Sequence, residues 1–264
     1  MRLVLLRGLA RESGHWGDFI DHLSQKINNN IKANGITPLQ ILTPDCSGCG
    51  QFNQHSAFTS ISATTDHIRQ QIDAVNLNKQ SSHTILIGLS MGGMIAMDWA
   101  RRYPKEISGV VLINSSSGEQ PLHWRVRPKA LLIGFMSLFT SIAMRESLML
   151  KLVSNNVLQY ESNIKKWQMI QQQRPVTRRT IIKQLIAAAR FSLKNNTGQD
   201  GEAEMSNNPG LILCSKGDRL VAMQCSLDIA KRFDWQISIH PSAGHDLPLD
   251  DPDWVVDQLL KWLA

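Results

Sequence analysis

The pentapeptide Gly88-Leu89-Ser90-Met91-Gly92, extended by Gly93 and preceded by the apolar run Thr84-Ile85-Leu86-Ile87, constrains this chain more than any other stretch. A sharp strand-to-helix turn demands small residues two places before and two places after its central residue, because it presses the flanking backbones together. Such a turn holds the serine in a strained conformation and exposes its hydroxyl. Met91 then opens a helix that should run to Tyr103 and stop at Pro104, and its N–H faces the oxygen of any carbonyl attacked at Ser90. Five-residue matches arise by chance; the β-branched strand before this one and the helix after it give it weight.

Short apolar runs alternate with helical patterns along most of the chain. Leu3–Leu6 precedes a helix over Trp16–Asn28, and Leu39–Leu42 precedes one through Ile61, Ile68, Ile72 and Val75. Gly109–Ile113 follows the Met91 helix, and the pattern resumes with Leu211–Cys214, Met223–Phe233, Ile237–His240 and Trp254–Leu263. This alternation predicts an α/β fold with a mostly parallel sheet of about six strands, covered on both faces. Residues 115–205 interrupt it with helical patterns alone, entered by Asn114-Ser115-Ser116-Ser117-Gly118 and left through Asn195–Asn208, rich in Asn, Gly, Asp and Glu. They are expected to form a helical cap inserted into a core of residues 1–114 and 206–264.

At 264 residues, with 42% hydrophobic and 19% charged, the chain can bury a full core and is not a disordered tail. Four cysteines, Cys46, Cys49, Cys214 and Cys225, are too few for a disulfide framework at this length. Cys46-Ser-Gly-Cys49 has redox or metal spacing, but no second pair accompanies it, so a plain loop and no metal are expected. Met1 to Arg7 holds only four apolar residues between charges, too few for the apolar core of a signal peptide, and a cytoplasmic location is expected. The longest apolar segment, Ala130–Met144, is shorter than the roughly 20 residues that span a bilayer and reads as a buried or pocket-lining helix.

A serine hydroxyl is a poor nucleophile at neutral pH and needs a base, which in turn needs an acid to fix its tautomer. Among eight histidines, His245 stands in a loop directly after the last predicted strand, while His240 ends that strand and His15, His22 and His67 fall in helical patterns. Functional residues of a parallel sheet gather beyond the carboxyl ends of its strands, which favours His245. The same argument favours Asp218, after Leu211–Cys214, over Asp228 and Asp234 at a helix, Asp200 in the exit loop, and Asp246 beside the histidine itself.

With the order Ser90, Asp218, His245 in place, the chain resembles an α/β-hydrolase over most of its length apart from the cap. Arg7-Gly8-Leu9 stands where most members have His-Gly-x, which implies Leu9 as the second oxyanion N–H beside Met91. Asp45-Cys46-Ser47-Gly48-Cys49-Gly50 resembles the family's D-x-P-G-x-G loop, and residues 244–252 resemble its histidine loop. By this resemblance Leu3–Leu6 corresponds to the family's third strand, and the first two family strands are expected to be absent. A serine nucleophile excludes the branches that attack with an aspartate. The resemblance implies transfer of an acyl group from an ester or thioester to water, with no metal or organic cofactor.

Basic charge is concentrated in the interruption. Residues 119–194 hold 13 Lys and Arg against 3 Glu, while the net charge of the whole chain is +6. After Arg174-Pro175, a natural helix start, Ile182, Leu185, Ile186, Ala189 and Leu193 form an apolar stripe, with Arg179, Lys183, Arg190 and Lys194 on a neighbouring one. A solvated face is the plain reading of such a stripe. The alternative is an acidic partner: the chain is similar in plan to pimeloyl-acyl-carrier-protein methyl ester carboxylesterases of biotin synthesis, whose basic cap docks an acidic acyl carrier protein. Trp124 and Phe135 would then be wall residues of an acyl channel. A general short- or medium-chain carboxylesterase or thioesterase, a lipase-like enzyme at anionic membrane surfaces, and a non-catalytic binding module are the competing readings. Nucleic acid is disfavoured, because aromatic residues are only 6% and no reader motif is present.

Overall fold

The computed structural model describes residues 1–34, 39–75, 83–193 and 208–264. Its centre is a six-stranded sheet of β1 (Arg2–Leu6), β2 (Gln40–Leu42), β3 (Thr84–Leu89), β4 (Gly109–Ile113), β5 (Gly210–Ser215) and β6 (Gln236–His240), in the order β2-β1-β3-β4-β5-β6. Every pairing is parallel, with Val4 opposite Leu86 and Leu86 opposite Val110. The expected sheet is therefore present, with each expected strand within a residue or two of its place.

Period-2 alternation sends successive strand residues to opposite faces. Val4, Leu6, Leu86, Val110, Leu112 and Ile212 pack beneath α2 (Ile61–Val75), α3 (Met91–Arg102) and α9 (Met223–Phe233). Leu3, Leu5, Ile85, Ile87, Val111 and Leu213 pack on the other face against Phe19 and Leu23 of α1 (Phe19–Asn34) and Val255 and Leu259 of α10 (Pro252–Leu263). Burial on both faces explains why β3 reads as one continuous apolar run. The first helix starts three residues later than expected, because Ser13–Trp16 forms a separate 3-10 turn closed by Gly17 at φ 51°.

Between β4 and β5, the described residues form the α-helices α4 (Leu122–Arg125), α5 (Pro128–Ser137), α6 (Ile142–Val153), α7 (Tyr160–Gln173) and α8 (Arg178–Arg190). Two expectations need correction. Ala130–Met144 is not one helix: α5 ends where the Ser137 and Thr140 hydroxyls donate to the Gly134 and Ser137 carbonyls, and Ser141 caps α6 by accepting from the Met144 N–H. Of the two readings, buried or pocket-lining, the second holds: Ala130, Leu131, Gly134, Phe135 and Leu138 line a cavity, although Leu131, Leu132, Phe135, Met136 and Phe139 are each more than half exposed.

The second correction concerns α8. It starts not at Arg174-Pro175 but at Thr177, whose hydroxyl accepts from the Thr180 N–H at 3.1 Å. Its buried face is Thr180, Ile181, Gln184 and Ala187, whereas Ile182 and Leu185 are exposed. Gln184 is tolerated inside because both ends of its amide are engaged, accepting from the Ala10 N–H at 2.8 Å and donating to Cys49 Sγ at 3.3 Å. No helix among the described residues is long and apolar enough to cross a membrane. All four cysteines are buried and free, and burial pushes the Cys49 thiol up to about 12.

Candidate active site

Ser90 joins β3 to α3 with φ 57° and ψ −119°, a conformation L-residues rarely adopt. The flanking glycines permit it. A Cβ on Gly92 would lie 2.0 Å from the Leu6 carbonyl oxygen, and one on Gly88 would lie 2.4 Å from that of Gly92. Hydrogen bonds fix the turn on both sides: the Ser90 N–H donates to Ile113 at 2.9 Å, and the Ser90 carbonyl accepts from Gly93 N–H and Ser115 Oγ. Met91 follows as the first residue of α3, where N–H groups lack acceptors within the helix. Gly8 and Leu9, beyond the end of β1, approach from the neighbouring strand; a Cβ on Gly8 would touch Ser90 Cβ at 3.2 Å.

His245 lies in the loop after β6, and its Nδ1 is 2.8 Å from Asp218 Oδ2. Both side chains are buried. The other Asp218 oxygen accepts from the Leu220 and Val221 N–H groups at 2.7 and 2.9 Å, so the carboxylate is held from two sides. With Nδ1–H donating to the carboxylate, Nε2 is the basic nitrogen of the neutral ring. Ser90, His245, Leu9 and Met91 all line one cavity of about 330 Å³ whose wall is mainly apolar.

Asp246, Asp228, Asp234 and His240 are placed elsewhere. Asp246 forms a buried ion pair with Arg7, Asp228 accepts from Gln120 Nε2, and Asp234 occupies the left-handed position ending α9. His240 binds Asp251 and receives two backbone N–H groups of its own loop. Asp200 lies outside the described residues.

Several residues escaped the sequence reading. Asn114, at φ 44°, donates from its amide to the His245 carbonyl at 2.8 Å and accepts from the Ser215 N–H at 3.1 Å, tying the ends of β4 and β5 to the histidine loop. The Arg7 guanidinium lies 4.6 Å from the centre of the Trp16 ring while it pairs with Asp246. Arg11 and Arg145 share the buried carboxylate of Glu146, and Arg11 also covers the Trp167 ring, so this group joins the β1 loop to α6 and α7. Close by, burial raises the Glu12 carboxyl to about 7 despite its ion pair with Arg174, and burial beside Arg11 and Arg7 holds His15 well below the usual histidine range.

The cap expectations meet a mixed outcome. Phe135 lines the cavity, but Trp124 does not: it is half-buried, and its carbonyl accepts from the Ala222 N–H, which turns Arg125 and Val126 inward in its place. Arg179 and Arg190 are exposed, Lys183 reaches the Ser56 hydroxyl at 2.5 Å, and Lys194 lies outside the described residues. These three cations share one stripe of α8, whose Ile181, Leu185 and Ala188 line the cavity.

A sequence model of the alpha/beta hydrolase family matches residues 3–258. A protein of Agrobacterium fabrum carrying the name carbamate hydrolase RutD is 23% identical, over 99% of this chain and 92% of its own length. Among solved structures, an esterase from Thermogutta terrifontis is similar with a TM-score of 0.68 and 18% identity, covering 100% of this chain and 89% of that one. A meta-cleavage product hydrolase, CumD, is similar with a TM-score of 0.73 and 15% identity, covering 100% and 90%. At these identities the structural likeness is one of fold.

Proposed function

The chain belongs to the alpha/beta hydrolase family, and from that premise we propose that it is a serine carboxylic ester hydrolase acting through Ser90, His245 and Asp218. The carrying observation is the 2.8 Å hydrogen bond from His245 to Asp218 at the wall of the cavity onto which Ser90 opens. In this reading the Ser90 hydroxyl attacks the ester carbonyl while His245 Nε2 takes its proton, and the N–H groups of Leu9 and Met91 hold the oxyanion. His245 returns the proton to the leaving alcohol, and water then releases the acyl group by the same steps in reverse order. Asp218 keeps the imidazole in the productive tautomer and stabilises the imidazolium. The chemistry is complete without a metal or organic cofactor. A fluorophosphonate ester tests it: one equivalent should label the protein, and peptide mapping should place the label on Ser90. Labelling at another residue contradicts the proposal.

The finer proposal names the substrate as a pimeloyl-acyl-carrier-protein methyl ester, in a cytoplasmic setting with four free thiols. Its support is the arrangement of α8, one face of which lines the cavity while Arg179, Lys183 and Arg190 face outward and offer an acidic carrier protein a docking stripe. Restored growth of a biotin auxotroph lacking its methyl ester carboxylesterase is the expected result. Failure of an active, well-expressed protein to do so moves the substrate to carrier-free esters or thioesters. A carbamate, the class in the name of the Agrobacterium fabrum relative, belongs in the same screen, since its carbonyl meets the same groups.

A further inference from the structure

The cavity wall carries more positive charge than ester hydrolysis uses. Four guanidiniums line it, from Arg7, Arg11, Arg125 and Arg145, against the carboxylates of Glu146 and Asp246. Arg7 is matched by Asp246, and Arg11 and Arg145 divide Glu146 between them. Even with Asp218 counted behind His245, the site holds one cation more than it has anions.

Arg125 is the guanidinium without a carboxylate among the described residues. Its Nη2 donates to the Ala188 carbonyl in the last turn of α8 at 2.6 Å, which explains one edge of the group, but its Nε is buried with no acceptor. Burial pushes its pKa below the ordinary arginine value, with Cys225 and Glu119 acting the other way. An arginine stays protonated under such pressure, so a half-buried guanidinium keeps its charge in the cavity wall with no carboxylate bonded to it.

The backbone around it is fixed. The Ala222 N–H donates to the Trp124 carbonyl at 2.7 Å, and the Arg127 N–H donates to the Leu220 carbonyl at 2.9 Å, so bonds on both sides of Arg125 clamp it to the loop that carries Asp218. Leu220 and Val221, whose N–H groups hold Asp218, line the cavity with Arg125. A charged group tied in this way to the catalytic loop reads one end of a substrate against the other. Aliphatic side chains of Leu131, Leu185 and Val221 line the remaining wall and suit a methylene chain.

We propose that Arg125 recognises a carboxylate at the far end of the acyl chain, making half-esters of dicarboxylic acids the preferred substrate class. The inference rests on Ser90 as nucleophile and deepens that reading: a planar guanidinium meets a carboxylate with two parallel hydrogen bonds and rejects the methyl end of a neutral chain. It is an alternative to the carrier-bound ester that docking on α8 would deliver, whose far end is a thioester with no free carboxylate; an ion pair inside the cavity is also screened less by salt than a surface stripe.

The test compares two aryl esters of equal length, mono-p-nitrophenyl adipate and p-nitrophenyl hexanoate. The readout is the ratio of their kcat/KM values in wild type, Arg125→Lys and Arg125→Met. The ratio should favour the adipate in wild type, fall at least tenfold in Arg125→Met, fall less in Arg125→Lys, and change little between 50 and 300 mM salt. A ratio unmoved by Arg125→Met, or a wild type that prefers the hexanoate, overturns the proposal and leaves the serine reading standing. Calorimetry on Ser90→Ala needs no turnover. Monomethyl adipate should bind, and the further change Arg125→Met should weaken it at least tenfold; equal or absent binding overturns the proposal. Loss of hydrolysis of both esters by wild type, with no label on Ser90, is the separate signature of a failed serine reading.

Discussion

Arg7 and Asp246 lie 239 positions apart in sequence and meet through two hydrogen bonds, of 2.5 and 3.3 Å, in the buried wall beside His245. The pair joins the end of β1, which carries Gly8 and Leu9, to the loop that carries the histidine. Removing one partner strands the other as an uncompensated buried charge. Arg7→Ala should therefore destabilise the protein by about 3–5 kcal/mol, read as a lower Tm or denaturant midpoint. Asp246→Asn should cost less, since its amide oxygen still accepts from the guanidinium. Equal stability in Arg7→Ala and wild type would show that the pair supports nothing.

Asp218 holds two backbone N–H groups on one oxygen and His245 on the other. Asp218→Asn keeps the size but presents an N–H to the imidazole and favours the wrong tautomer. A loss of about 10⁴-fold in kcat is expected, with a much smaller change in KM. A loss below tenfold would remove Asp218 from the reaction.

Much of this was legible in the sequence, and the exceptions have physical causes. The strands, the strained serine and its glycines follow from local rules: β-branched runs, period-2 alternation and the impossibility of a Cβ on Gly92 facing the Leu6 carbonyl. Asp218 and His245 were reachable because each follows its own strand. The Arg7–Asp246 pair and the Asn114 tie were not, because their partners come together only after the whole sheet has formed. The buried positions Thr180 and Gln184 of α8 were not legible, because hydrophobicity draws attention to the stripe of Ile182 and Leu185 instead. Only tertiary structure supplies Ala10 and Cys49 as partners that make Gln184 affordable inside. Arg125 gave no signal, since an arginine in a basic segment reads as surface.

Glu12 couples stability to pH. Its carboxyl is raised from 4.5 to about 7 in the folded protein, chiefly by burial, so folding favours the protonated form. Its contribution is fully present below pH 4.5 and is lost as pH rises to about 7. The stability of wild type minus that of Glu12→Gln should decline across that window and stay level above it. A difference that does not vary with pH would return Glu12 to an ordinary carboxylate.

Charge on α8 separates docking from fold. Arg179→Glu, Lys183→Glu and Arg190→Glu combined should lower kcat/KM for a carrier-bound ester at least tenfold while small aryl esters lose less than threefold. Raising the ionic strength should reproduce that selective loss in wild type. Parallel loss on both substrates would mean that the substitutions damage the fold around α8 and not a docking step.

The most direct measurement is kcat for p-nitrophenyl ester hydrolysis by Ser90→Ala, His245→Ala and the double variant, with folding checked by circular dichroism. Residues that act as one unit are not additive, so each single change should abolish turnover to about the same residual level and the double should be scarcely worse. Substantial turnover by folded Ser90→Ala, or losses that multiply in the double variant, would contradict a shared nucleophile and base.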